Sequence, residues 1–226
     1  MDTQKRIIMW VAVVLVLGVT GVAMWQTATN PTLTEKKRVE IDTLSESTSA
    51  RDHTKGATAT SSVSLVEYSD FECPACGAYY PLVEKITAEY KDRVNFTYRH
   101  FPLPQHKNAL AAAYAAEAAG KQGKFWEMYQ ILFDHRAEWS AEDVAMKTFE
   151  GYAETLNLDL ARWKTDVGSQ EIKDVVMHDK ETGVKSGVNS TPSFYLNGKK
   201  IPPPQGYDAF KTIIEYAIAH PVRDGE

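Results

Sequence analysis

Hydrophobic and polar positions divide the chain into stretches of different character. Residues 7–25, IIMWVAVVLVLGVTGVAMW, are apolar and uncharged. Their length is close to the roughly 20 residues that cross a bilayer as a helix. Trp10 and Trp25 stand near the two ends, as interfacial anchors do. Lys5 and Arg6 precede the run, so the pattern predicts a signal-anchor with residues 1–6 on the cytoplasmic side. Gly21-Val22-Ala23 also offers a small-x-small site at which a signal peptidase could cut. Residues 26–60 are polar, rich in Thr, Ser and charge, and lack apolar periodicity; they read as a tether.

Periodicity begins at SVSLVEY (62–68), a run of β-branched and aromatic residues that predicts a buried strand. Apolar residues then recur at helical spacing at Tyr79, Leu82, Val83, Ile86 and Tyr90, and VNFTYRHF (94–101) alternates as a strand does. This is a βαβ unit, and it points to an α/β sheet. From 102 to 189 the pattern turns helical in four or five segments. These include an alanine-rich run ending at Gly120, the aromatic KFWEMYQILFDHR, and a stretch near 169–185. Ser140 reads as an N-cap for AEDVAMKTFEGYAETLN, with Asp143 placed to answer it. Strand character returns at 192–196, Asn197-Gly198 predicts a tight hairpin into KKI, Pro202-Pro203-Pro204 ends it, and a last helix covers 207–219.

Composition narrows the possible functions. The formal net charge is −5 and no basic run exceeds Lys36-Lys37-Arg38, which argues against nucleic acid as a ligand. No Walker loop, dinucleotide fingerprint or internal repeat is present. The chain has two cysteines, Cys73 and Cys76. A disulfide closing so short a loop removes little unfolded-state entropy, so it is a poor staple. No cysteine lies just after the apolar run, which argues against a lipoprotein anchor. The pair is then either a redox couple or part of a soft-metal site. His100 and His106 could suggest metal, but two histidines in one loop region are more often core-satisfied or solvated than metal-bound. Phe125, Trp126 and Met128 read as core of the helical block.

A strand leading into CPAC, a distant Thr191-Pro192 starting a strand, an Asn-Gly hairpin and a final helix together resemble the thioredoxin fold. The stretches LVEYSDFECPACGAYYP, YRHFPL, QGKFWEMYQILF and STPSFYLNGK resemble membrane-anchored or exported DsbA-like thiol–disulfide oxidoreductases. The resemblance implies a thioredoxin-like domain over 61–101 and 190–220, interrupted by a helical insertion over 102–189. It implies Cys73 as nucleophile at a helix N-terminus, where unpaired N–H groups and the dipole favour a thiolate. Cys76 becomes the buried resolving thiol. Pro74-Ala75 is the active-site dipeptide, and its lack of a histidine departs from the strongly oxidising form. Thr191-Pro192, which by itself reads as a strand-entry proline, is implied to be cis and to lie against the CxxC. Glu67 is implied to be a buried carboxylate exchanging protons with Cys76. Asp70, Phe71 and Glu72 are expected to shape the rim, with Phe71 offering an apolar contact to substrates.

The expected activity is donation of disulfides to exported proteins bearing cysteines, with a membrane redox partner recycling the pair and no cofactor beyond the Cys73–Cys76 disulfide. The same fold acting as a reductase or isomerase is the alternative, and a CxxC metallochaperone the more distant one. The catalytic domain is expected on the extracytoplasmic face, anchored by its N-terminus.

Overall fold

The computed structural model describes residues 43–57 and 63–221. The expected membrane-spanning segment at 7–25 lies outside the described residues, and among those described no helix is long and apolar enough to cross a membrane. Five strands form one sheet: β1 (His53–Gly56), β2 (Val63–Ser69), β3 (Val94–His100), β4 (Ser193–Leu196) and β5 (Lys199–Ile201), in the order β1-β3-β2-β4-β5. β2 and β3 run parallel, as a helical crossover requires, and the other pairs are antiparallel. Helix α1 (Pro74–Glu89) is that crossover. Asn197 and Gly198 both take positive φ, 49° and 79°, which the two-residue turn between β4 and β5 demands.

Six helices separate β3 from β4: α2 (Ala109–Gly120), α3 (Phe125–Asp134), α4 (Arg136–Trp139), α5 (Met146–Thr155), α6 (Leu160–Val167) and α7 (Gln170–Lys185). Helix α8 (Tyr207–Ala219) follows β5. Alternation along β2 sorts its side chains between two cores. Val63 and Leu65 join the larger one with Val83 and Ile86 of α1, Phe210 and Ile214 of α8, and the aromatic residues of α3. Val66 and Tyr68 face the smaller one with Phe101, Val188 and Tyr195. Helix α7 comes so close over this second face that a Cβ at Gly183 would lie 2.7 Å from Phe101 Cδ2 and 3.0 Å from Tyr68 Cδ1.

Three expectations need correcting. The polar stretch 26–60 is not a tether along its whole length, because residues 46–52 fold around one buried side chain of β3. Arg99 is 3% exposed. It donates from Nε to Asp52 Oδ1 (2.7 Å), from Nη1 to the Glu46 carbonyl (3.1 Å) and Tyr68 hydroxyl (2.9 Å), and from Nη2 to the Ser47 carbonyl (3.1 Å) and Asp52 Oδ2 (3.3 Å). All five guanidinium donors are satisfied. Edge strand β1 follows directly.

Next, Ser140 is not an N-cap. It closes the short α4, and α5 begins only at Met146. Asn108 organises that start from outside: its Oδ1 accepts from the Ala145 amide (3.1 Å) and its Nδ2 donates to the Glu142 carbonyl (3.0 Å). Finally, KFWEMYQILFDHR is not one helix, because the chain turns at His135 to divide α3 from α4.

The insertion is pinned to the sheet through charge. Glu117 of α2 accepts at Oε1 from His53 Nε2 (2.9 Å) and His100 Nε2 (2.8 Å). Burial alone would push this carboxyl up, but the two imidazoles outweigh it and hold the group at about 2. A carboxyl depressed in the fold binds fewer protons there than in the unfolded chain, so the stability it contributes is present above the ordinary carboxyl range and is lost as pH falls towards 2. Glu117→Gln is expected to flatten the loss of stability between about pH 4.5 and pH 2, read from denaturant midpoints at each pH. An unchanged profile would show that the carboxylate carries no such linkage.

Candidate active site

The CPAC segment lies where β2 ends and α1 begins. Cys73 is the N-cap, with extended backbone (φ −64°, ψ 123°), and Pro74 takes the first helical position, where its missing N–H costs nothing. Pro74 and Ala75 are exposed, while Cys73 is 6% and Cys76 0% exposed. Both cysteines are free thiols. The Thr191-Pro192 bond is cis, and the Thr191 carbonyl lies 3.5 Å from Cys73 Sγ. Residues 118 positions apart in the chain thus meet at one sulfur.

The two sulfurs differ sharply. The Cys73 thiol is lowered to about 5. The largest cause is the hydrogen bond it receives from the Cys76 thiol; burial opposes it, and the Thr191 side chain and the amides of Cys76 and Ala75 add to it. The Thr191 hydroxyl is buried and otherwise without a partner. Cys76 is pushed well above the ordinary thiol range, first by burial, then by its bond to Cys73 and by the Glu67 charge. One thiol is therefore an anion at neutral pH and the other a proton-holding neutral group.

Glu67 shares the face of β2 that carries Val63 and Leu65, between Tyr98 of β3 and Phe194 of β4. It is 2% exposed, and burial raises its carboxyl to about 7, with Ser69 and the Lys55 ammonium pulling it back. Its charge helps to raise Cys76, and the Cys73 charge in turn helps to raise Glu67.

The residues before the motif are placed differently from expectation. Phe71 is 1% exposed and stacks within the larger core on Tyr98, with centroids 5.1 Å apart, and against Phe133 at 5.0 Å. It is scaffold and is not available as a substrate contact. Asp70 and Glu72 are buried brackets and form no part of a rim. Asp70 Oδ2 accepts from the Leu103 amide (2.8 Å) and pairs with His106 Nδ1 (2.7 Å), while Oδ1 accepts from the Glu72 amide (2.8 Å). Glu72 Oε2 accepts from the Asn108 amide (2.6 Å). The carboxyls of the segment between β2 and α1 answer the amides of the loop after β3, a pairing that has no periodic signature in the sequence.

His100 and His106 thus go to Glu117 and Asp70, and among the described residues no group of three or more His, Cys, Asp or Glu is arranged to hold a metal. Phe125 and Met128 lie in the core, with Trp126 packed against it.

A thioredoxin family model matches residues 48–216. Among solved structures, the chain is similar to alpha-DsbA1 of Wolbachia pipientis, at 20% identity and a TM-score of 0.69, covering 76% of this chain and 93% of that one. It is also similar to oxidised BdbD of Bacillus subtilis, at 24% identity and 0.66, covering 79% and 99%. These likenesses show the fold. Among curated relatives, a protein named Na(+)/H(+) antiporter NhaA 3 of Salinispora tropica is 36% identical over 170 residues, covering 75% of this chain and 25% of the relative. The chain spans about a quarter of the length of the curated relatives it matches.

The position of Glu67 has a measurable consequence. A carboxyl raised in the fold holds its proton above the unfolded value, so folding stability falls as pH rises from about 4.5 to about 7 and is level above that. Glu67→Gln is expected to remove this fall and to stabilise the protein at pH 8 by on the order of 2 kcal/mol. A variant less stable than wild type at pH 8 would place Glu67 in a solvated or ion-paired setting instead.

Proposed function

Because the chain belongs to the thioredoxin family, we propose that it is a protein thiol–disulfide oxidoreductase that donates disulfides to exported proteins through Cys73 and Cys76. The observation that carries this reading is the asymmetry of the pair: a low thiol at the helix N-terminus and a high one buried behind it.

In the oxidised protein a substrate thiolate attacks Cys73 Sγ. The Cys73–Cys76 bond breaks, and Cys76 leaves with the electron pair. As a high-pKa thiolate in a buried site it must be protonated, and Glu67, near 7 and beside it, is the group that supplies the proton. A second substrate thiolate then attacks the substrate sulfur of the mixed disulfide and displaces Cys73, a good leaving group because its anion is stabilised. The substrate loses two electrons as its disulfide forms, and the pair gains them. Each turnover leaves the protein reduced, which calls for a membrane redox partner to reoxidise it. Thr191, whose carbonyl borders Cys73, is the group against which an extended substrate would pair.

The donor direction is favoured over reduction or isomerisation because a stabilised thiolate stabilises the reduced form, and that is what makes an oxidant. The segment 7–25 would hold the domain at the outer face of a membrane. The antiporter name belongs to proteins of which this chain covers a quarter, and the described site supports thiol exchange.

The test is the reduction potential of the pair, equilibrated against glutathione in the full chain in detergent. A value towards about −120 mV is expected for a donor; one near about −270 mV would turn the reading to a reductase. Cys76→Ser is expected to accumulate mixed disulfides when its Cys73 thiolate attacks a substrate disulfide and one substrate sulfur leaves as a thiolate, and Cys73→Ser to accumulate none. Identical behaviour of the two variants would overturn the assignment of Cys73 as the attacked sulfur.

A further inference from the structure

Gly77 follows Cys76 in the first turn of α1. Its φ is not in the left-handed region, so the backbone does not require glycine there, and glycine is a poor residue inside a helix. The space around it explains the choice. A Cβ at this position would lie 2.8 Å from Arg136 Nε and 3.1 Å from Arg136 Cδ. The guanidinium lies directly over the turn that carries both cysteines. From there Nη1 donates to the Glu72 carbonyl at 3.1 Å. That carbonyl belongs to the peptide unit whose N–H is the Cys73 amide, and the amide donates to the Asp70 carbonyl at 3.1 Å. Arg136 therefore touches the motif on both sides of Cys73: at the residue before it and at the turn after it.

Arg136 arrives from the helical insertion. It is the first residue of α4, and its direction depends on the turn at His135 that ends α3. A continuous helix through KFWEMYQILFDHR would have pointed this position elsewhere. Of the charged groups around Cys73, the Asp70 carboxylate is taken up by the Leu103 and Glu72 amides and His106, and the Glu72 carboxylate by the Asn108 amide. Glu67 lies behind Cys76. Arg136 is the guanidinium held against the motif, and a guanidinium does not lose its charge.

We propose that Arg136 is a positioning residue of the thiol–disulfide centre: reaching from the insertion, it fixes the Glu72–Cys73 peptide and the first turn of α1. It also sets a permanent positive charge beside the helix end where the Cys73 thiolate is held, favouring the reduced pair. This rests on the redox reading of the site given above. It gives the insertion a role in setting the couple, and it makes Gly77 the clearance that lets the guanidinium in.

The test uses the full chain in detergent with three variants. Arg136→Gln removes the charge and keeps a donor, Arg136→Lys keeps the charge, and Gly77→Ala keeps the arginine and forces its Nε and Cδ to shift off the turn. Thiolate absorbance against pH and glutathione equilibration are read for each, with near-UV circular dichroism to establish folding. Arg136→Gln and Gly77→Ala are each expected to raise the Cys73 titration and to shift the equilibrium with glutathione about tenfold against the reduced pair, about 30 mV more negative. Arg136→Lys is expected to restore most of the difference. A wild type with a low Cys73 titration and variants identical to it would overturn the role of Arg136 and leave the redox reading standing. Arg136→Lys behaving as Arg136→Gln would also overturn it, since the charge would then do nothing. A wild-type Cys73 that titrates near the free value of about 8.5 and exchanges with no disulfide would overturn the redox reading, and the proposal with it. Should Arg136→Gln fail to fold, a Gly77→Ala protein with an unshifted titration overturns the proposal by itself.

Discussion

An anion can be kept in a protein only where something replaces the water it gives up, and at the start of α1 that constraint separates two sulfurs three positions apart. Cys73 has the amides of the first turn, the Cys76 thiol and the Thr191 side chain to receive its charge. Cys76 has burial on every side and a carboxyl behind it. The electron pair of a broken disulfide therefore has a preferred resting place, and the proton a different one. The sheet order follows from this need. β2 ends at the motif, β3 and β4 flank Glu67, and the peptide before β4 brings a carbonyl to Cys73 Sγ.

Much of this was legible because it is local. A strand running into a helix through CPAC, with a glutamate six residues upstream of Cys73 on the core face, needs no knowledge of distant chain. The hairpin at Asn197-Gly198 is equally local, since only residues tolerant of positive φ fit there. What was hidden depends on single long-range contacts made by polar side chains. Asn108 starts α5 from across the insertion, so a serine with capping chemistry at 140 was the more visible and the wrong candidate. Phe71, Asp70 and Glu72 stand beside a reactive motif and looked like its rim. Phe71 is buried against Tyr98 and Phe133, and Asp70 and Glu72 are buried because the loop after β3 folds over them with amides to spare. Arg136 had no signal of its own, and Gly77 beside the cysteines was the only hint that something passes close.

The insertion is thus coupled to the motif along one edge through Asn108, His106 and Arg136, and to the sheet along another through Glu117. Each link joins a charged or amide group of one part to a polar group of the other. Polar pairs of this kind specify geometry more than they add stability. They hold the helical block in one orientation over a site whose chemistry depends on the placement of a few hydrogen-bond donors.

The arrangement around Arg99 bears on where this domain begins. Composition would put the boundary near residue 60, where the polar run gives way to β2. A fragment cut there would keep β3 and lose Glu46, Ser47 and Asp52, leaving the Tyr68 hydroxyl as the one remaining acceptor described here for a guanidinium buried in the second core. Its edge strand would go as well, exposing the amides of β3 to any other chain that could pair with them. The smallest self-sufficient piece of this protein starts upstream of its own compositional border, and its first residues serve as the counter-ion of the sheet.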